Sequence, residues 1–307
     1  MKRKLIGQGA GGITVTLPIN WVREFSLQAG TEVDLSQTDQ GILISAAKIK
    51  TPKTLTLDLR EYDSRMILNF LNQAYRLGYD TLQIQYATPS QYTAIAQITR
   101  NTLLGFEIVE HKPSHITLQN IAEPDAEKFD IILRKIFLQI LELASHVTDA
   151  FKNPLLNQSL IEEYKIQIDK LTNYSRRTII KTSSGGDKSV LLYSILSQLS
   201  LVSHAYYYMY TYSLSKKKKL SPELLFTLTG INHMFREYYE AFYSQDIKRL
   251  ARISQFKDEF TKQNLELFEK STPNTVIFLA HMREIIRSIH MCLPFSVGYW
   301  LGEGEKK

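Results

Sequence analysis

The sequence predicts a multidomain α+β protein: a small β-rich N-terminal domain over residues 1–50, an α/β module over 51–122, and an all-α bundle of six helices over 123–307. Three observations predict this. Short apolar strands separated by glycines fill the first fifty or so residues, strand and helix periods then alternate twice, and beyond Pro124 prolines fall at helix starts with no strand pattern left. A chain of 307 residues also exceeds what one hydrophobic core usually supports.

In the first domain, Lys4-Leu5-Ile6 and Ile13-Thr14-Val15-Thr16-Leu17 read as strands. Pro18 opens a short helix with Trp21, Val22 and Phe25 on one face, and Ala29-Gly30 is its expected end. Val33-Asp34-Leu35 and Ile42-Leu43-Ile44 flank the turn Asp39-Gln40-Gly41 as a hairpin. A segment this short cannot enclose a core, and it has no cysteine to staple it, so obligate dimerisation is the physical expectation.

After the joint at Thr51-Pro52-Lys53, Leu55, Leu57 and Leu59 alternate as a strand. Residues 63 to 77 place Ile67, Phe70, Leu71, Ala74 and Leu77 at helical spacing, and Gly78 suits the C-terminal cap. The pattern repeats: a strand over 81 to 86, a helix over 90 to 104 stopped by Gly105, and a closing hairpin over 106 to 119.

Helices are expected near 124–152, 154–182, 188–216, 221–244, 246–271 and 273–303. Asn153-Pro154, Ser221-Pro222 and Thr272-Pro273 pair a capping residue with a first-turn proline, and residues 183–187 form a break. Phe129, Ile132, Leu133, Ile136, Ile140, Leu143 and Val147 form the core stripe of the first. Short turns between long helices imply an antiparallel bundle.

Composition narrows the function. Apolar and charged fractions of 44% and 22% fit a soluble globular protein, and a net charge of +6 makes an anionic partner plausible. The lone Cys292 supports neither a disulfide nor a zinc site, which points to the reducing cytoplasm. The start runs from Lys2-Arg3-Lys4 into Gly7 and Gly9, so no signal peptide is expected. Residues 189–215 lack charge over span length, but their serines, Gln198, His204 and tyrosines favour a buried bundle helix over a membrane span.

Gly7, Gly9 and Gly12 match G-x-G-x-x-G, yet a strand follows them instead of a helix, so they are expected to turn a hairpin. Gly186-Asp187-Lys188-Ser189 lacks the strand and first glycine of a phosphate loop. No catalytic signature is present, and neither an enzyme nor a bound cofactor is expected. His146 with Asp149 and His281 with Glu284 share helical faces and are read as solvated or core-satisfied before they are read as metal ligands. Lys216 to Lys219 read first as a solvated helix end.

Arg3-Lys4, Gly11-Gly12, Thr14-Val15-Thr16-Leu17-Pro18, Trp21-Val22, Leu27, Gly30, Val33 and Gly41-Ile42-Leu43-Ile44 together resemble the AbrB/SpoVT DNA-binding domain. The resemblance implies two chains interleaving their hairpins into one swapped-hairpin β-barrel, with Lys2, Arg3, Lys4 and Arg23 meeting DNA. Glu24, Glu32, Asp34 and Asp39 offset much of that basic charge, and a purely dimerising head is the alternative.

The helical half, preceded by such a head, resembles PhoU in the arrangement associated with archaeal phosphate-uptake regulators. That family carries acidic pairs at four-residue spacing that hold metal clusters. Here Lys165 precedes Asp169, Ser200 and His204 stand where two carboxylates are expected, and Leu293-Pro294-Phe295-Ser296 replaces another pair. No bound metal is therefore expected. The resemblance implies a homodimeric, cytoplasmic transcriptional regulator partnered by DNA; the alternative is an adaptor docking on a transporter or sensor kinase.

Overall fold

The computed structural model describes residues 2–9, 11–38, 41–46, 52–122, 128–152, 158–182, 187–216, 220–269 and 272–301. Contacts divide the chain into two units, Met1–Pro52 and Lys53–Lys307. The expected turn at Asp39 and Gln40, the helix start at Asn153 and Pro154, the break at 183–186 and the lysines at 217–219 lie outside the described residues.

In the first unit, β1 (Ile6–Gln8) pairs antiparallel with β2 (Gly12–Thr14), with Gly11 at φ +86° between them. The glycines do turn a hairpin, although both strands are shorter than the apolar runs suggested. Helix α1 (Ile19–Glu24) begins after Pro18 and ends earlier than expected. Ser26 takes the left-handed conformation, its N–H donates to the Arg23 carbonyl, and the Leu27 N–H donates to the Val22 carbonyl at 2.9 Å, a Schellman closure. The Ala29-Gly30 signal belongs to a separate turn, closed by the Thr31 N–H on the Gln28 carbonyl with Gly30 at φ +90°. Strands β3 (Val33–Thr38) and β4 (Gly41–Ala46) make the second hairpin, in a register that pairs Leu35 with Ile44. Each hairpin is its own two-stranded sheet, and the described residues of one chain close no barrel.

The second unit opens with a four-stranded sheet in the order β5-β6-β8-β7. Strand β5 (Thr54–Asp58) runs parallel to β6 (Thr81–Gln85), connected by α2 (Ser64–Arg76), and α3 (Pro89–Thr102) leads to the antiparallel hairpin β7 (Phe106–Lys112) and β8 (His115–Asn120). Asp63 caps α2 by accepting from the Met66 N–H at 2.8 Å, and Thr88 with Gln91 forms a capping box on α3. Buried Leu82, Ile84, Ile116 and Leu118 alternate with exposed or half-buried neighbours, so one face of the sheet carries Ile67, Leu71 and Tyr75 of α2 and Ile95 and Ile98 of α3.

Six helices follow: α4 (Phe129–Lys152), α5 (Gln158–Thr182), α6 (Asp187–Lys216), α7 (Pro222–Ser244), α8 (Ile247–Glu269) and α9 (Pro273–Leu301). Ser221 caps α7 ahead of Pro222, as its sequence implies. Leu133, Ile136, Ile140, Leu143 and Val147 of α4 are buried, while Phe129 and Ile132 pack partly buried on the same core. Phe137 sits among the rings of Phe235, Tyr238, Tyr239, Phe242 and Tyr243, at 5.4 to 6.0 Å between centroids. Among the described residues no helix is long and apolar enough to cross a membrane. Helix α6, the segment of span length, packs most extensively on α9, with Tyr206 and Tyr210 buried.

Candidate functional site

Lys2, Arg3 and Lys4 precede β1, and Arg23 lies in the last turn of α1; all four are exposed, and none makes an ion pair among the described residues. Their neighbours are unusual. No described side chain of the first unit is buried, and Ile13, Leu35 and Ile42 are 68%, 65% and 70% exposed. Leu5, Ile6 and Ile19 are exposed as well. The four cations therefore stand on a unit whose apolar side chains have found no core of their own.

A second concentration of polar chemistry surrounds α5. Residues 171–179 of this helix are buried at every position, although they include Thr172, Asn173, Ser175, Arg176, Arg177 and Thr178. The cause is enclosure on all sides, by α2 and α3 of the α/β module and by α4 and α6 of the bundle. A polar helix in that position must find hydrogen-bond partners or be destabilising.

Arg177 finds them. Its Nη1 donates to the carbonyls of Tyr75 at 2.8 Å and Tyr79 at 2.7 Å, its Nη2 donates to Asp80 Oδ1 at 2.6 Å, and its guanidinium lies 5.0 Å from the Tyr75 ring centroid. Lys181 Nζ reaches the same Asp80 oxygen at 2.6 Å. Burial alone would raise the Asp80 carboxyl; the hydrogen bond from Lys181, the Lys53 N–H and the two cationic charges outweigh it and hold it below the usual range.

About two turns toward the start of α5, Lys165, Asp169 and His204 converge. Lys165 Nζ lies 2.5 Å from Asp169 Oδ2, and His204 Nε2 donates to Asp169 Oδ1 at 2.8 Å. Burial raises Asp169, and His204 with Lys165 more than reverses it, leaving the carboxyl below its ordinary value. Lys165 thus occupies the electrostatic place a cation would take beside Asp169. Of the other two histidine pairs, His146 stacks on Tyr164 while Asp149 pairs with Lys152, whereas His281 Nδ1 lies 3.5 Å from its own partner Glu284. No group of three or more His, Cys, Asp or Glu able to hold a metal occurs among the described residues.

Between these clusters lies a cavity of about 450 Å³ with walls from α2, α3, α5 and α6. Its charged lining is Arg76, Arg176, Lys165 and Asp169, His204 stands beside them, and Asn69, Asn72, Gln97, Asn101 and Asn173 add amides. Asn173 holds the walls together, accepting from Arg76 Nε and Nη2 at 2.9 and 2.7 Å and donating to Asn72 Oδ1 and the Thr102 carbonyl.

No family model, curated protein or solved structure matches the chain. The geometry is thus the guide. It supplies a polar, positively charged chamber whose walls come from the module and the bundle together. Arg76, Asp80, Asn173, Arg176 and Arg177 carry this arrangement, and the sequence singled out none of them. The one signal it offered was the run Thr172-Asn173-Tyr174-Ser175-Arg176-Arg177-Thr178, which interrupts the apolar stripe of a helix that should have a core face.

Proposed function

We propose that the protein is a dimeric, DNA-binding transcriptional regulator, possessing the interleaved-hairpin head implied by the AbrB/SpoVT resemblance and a PhoU-like helical domain that receives a signal linked to phosphate uptake. The observation that carries this reading is the first unit's lack of any buried described side chain beside strongly exposed Ile13, Leu35 and Ile42. A segment of this size with so much apolar surface does not hold its fold alone. A second copy is the natural cover, because a two-fold axis lets one apolar face meet itself. Dimerisation then presents Lys2, Arg3, Lys4 and Arg23 twice, and paired Lys and Arg contacts to phosphates supply the salt-dependent affinity of DNA-binding proteins. The helical domain needs no catalysis in this role.

The test is fluorescence anisotropy of genomic DNA fragments with the full chain at several salt concentrations, comparing wild type with a variant carrying Lys2→Ala, Arg3→Ala, Lys4→Ala and Arg23→Ala. Fragment-specific binding that weakens in the variant, with the salt slope shallower by about 1 for each lost phosphate contact, is the expected result. A folded wild-type dimer inert toward every fragment would overturn the regulator reading in favour of the adaptor that docks on a transporter or sensor kinase.

A further inference from the structure

Two guanidinium groups share the cavity between module and bundle, and among the described residues no carboxylate pairs with either. Arg176, only 7% exposed, directs Nη2 at the Leu196 carbonyl over 3.5 Å and at the Ser197 hydroxyl over 3.3 Å, and lies 5.4 Å from the Tyr193 ring centroid. Its buried Nε has no hydrogen-bond partner among the described residues. Arg76 directs both Nε and Nη2 at one acceptor, Asn173 Oδ1. A guanidinium carries five donors, and leaving them unmet in a buried site is costly. Burial, and then the charge of Arg76 beside it, bring Arg176 down to about 10. Asp169, the one carboxylate among the described lining residues, is already engaged by Lys165 and His204.

We propose that this cavity binds a small phosphoryl dianion, either inorganic phosphate or a phosphorylated metabolite, held by Arg76 and Arg176. Charge fixes the class: Arg76, Arg176 and Lys165 against Asp169 leave two positive charges in excess. A phosphoryl group concentrates two negative charges on oxygens that two guanidinium forks can share, whereas a dicarboxylate spreads them over separate carbons. The volume of about 450 Å³ is in the range of small-molecule sites, and the amides of Asn69, Asn72 and Asn101 offer donors and acceptors for hydroxyls on an ester. An occupant touching α2 and α5 bridges the module and the bundle. Its use as an effector rests on the regulator reading; its binding does not.

Isothermal titration calorimetry of the purified full chain in chloride buffer, without DNA, tests the site. The probes are inorganic phosphate, glycerol 3-phosphate, AMP and succinate. At least one phosphoryl probe is expected to bind, and Arg76→Gln and Arg176→Gln are each expected to weaken it by about 10- to 100-fold, while Arg287→Gln, exposed on α9, leaves it unchanged. Circular dichroism verifies folding. If the buried Arg176→Gln variant fails to fold, the half-buried Arg76→Gln carries the comparison. Phosphate binding as tightly as the esters identifies the free ion, and binding of esters alone identifies a metabolite. Wild type silent to every phosphoryl probe, Arg76→Gln binding as wild type does, or succinate binding equally well would each overturn the proposal. None of these outcomes depends on DNA binding, so the two readings fail separately.

Discussion

Arg177 and Asp80, 97 residues apart in sequence, meet with Nη2 2.6 Å from Oδ1 and so tie the bundle to the α/β module. Both side chains are largely shielded from water, at 1% and 13% exposure. Asp80→Ala leaves the Arg177 charge buried and unpaired, and is expected to destabilise the second unit by about 3–5 kcal/mol. Urea denaturation followed by circular dichroism measures it. Adding Arg177→Met to that variant should recover much of the loss, because the uncompensated charge is then gone. A cost for Asp80→Ala under about 1 kcal/mol would rank the pair with surface ion pairs.

Acid should act on the bundle and module through two shielded carboxyls, at 13% and 17% exposure. Asp80 and Asp169 both lie below the ordinary carboxylate range in the folded chain, because cationic and hydrogen-bonding neighbours outweigh their burial. A carboxyl depressed on folding contributes stability in full above its unfolded value of about 3.9, and loses it as the pH falls through the folded value. Thermal melts should therefore lose no stability to these groups between pH 7 and 5 and lose it on descent below about pH 4. Asp169→Asn should melt lower at pH 7 yet show a shallower acid limb. An acid limb unchanged in Asp169→Asn would remove Asp169 from this account.

Leu35 offers a test of the dimeric head. In one chain it is 65% exposed and contributes to no core. If it remained solvated, Leu35→Asp would change stability by no more than about 0.5 kcal/mol and leave the mass in solution unaltered. Burial against a second copy predicts instead that the substitution dissociates the dimer. Sedimentation velocity distinguishes the two.

Cys292 reports on unfolding. Burial pushes its thiol up to about 12, so almost no thiolate is available at neutral pH. A thiol reagent at pH 8 should leave the native protein unmodified and label it stoichiometrically in denaturant. Rapid labelling of the native chain would show that α9 opens far more readily than its buried position implies.

Local chemistry made much of this architecture legible. The Ser221-Pro222 and Thr272-Pro273 starts, the alternation of Leu82 and Ile84, and the cap at Gly78 report conformations set within a few residues, and the structure has elements at each. Asp169, Lys165 and His204 were also marked by position, and they do converge. The Ala29-Gly30 signal was ambiguous for a physical reason, since glycine at positive φ serves a turn as readily as a helix cap. The cavity was not legible at all. Periodicity identifies a face that avoids water by being apolar, but α5 avoids water while remaining polar, because its partners are carbonyls, an amide and a carboxylate 71 to 102 residues away. Nothing near Arg176 or Arg177 in sequence distinguishes them from solvated arginines.

The enclosure of α5 also determines where this protein can be cut and rejoined. A chimera with its seam near Pro52 carries the module and bundle over together, with Arg177 still facing Asp80. A seam near residue 122 would transplant a bundle whose second helix, α5, is built to be covered, and whose arginines would then need a foreign module with a carboxylate and carbonyls in the same places. Lineages that shuffle heads among such proteins would be expected to keep residues 53–307 as one heritable block, with the α/β module travelling alongside the helices it covers.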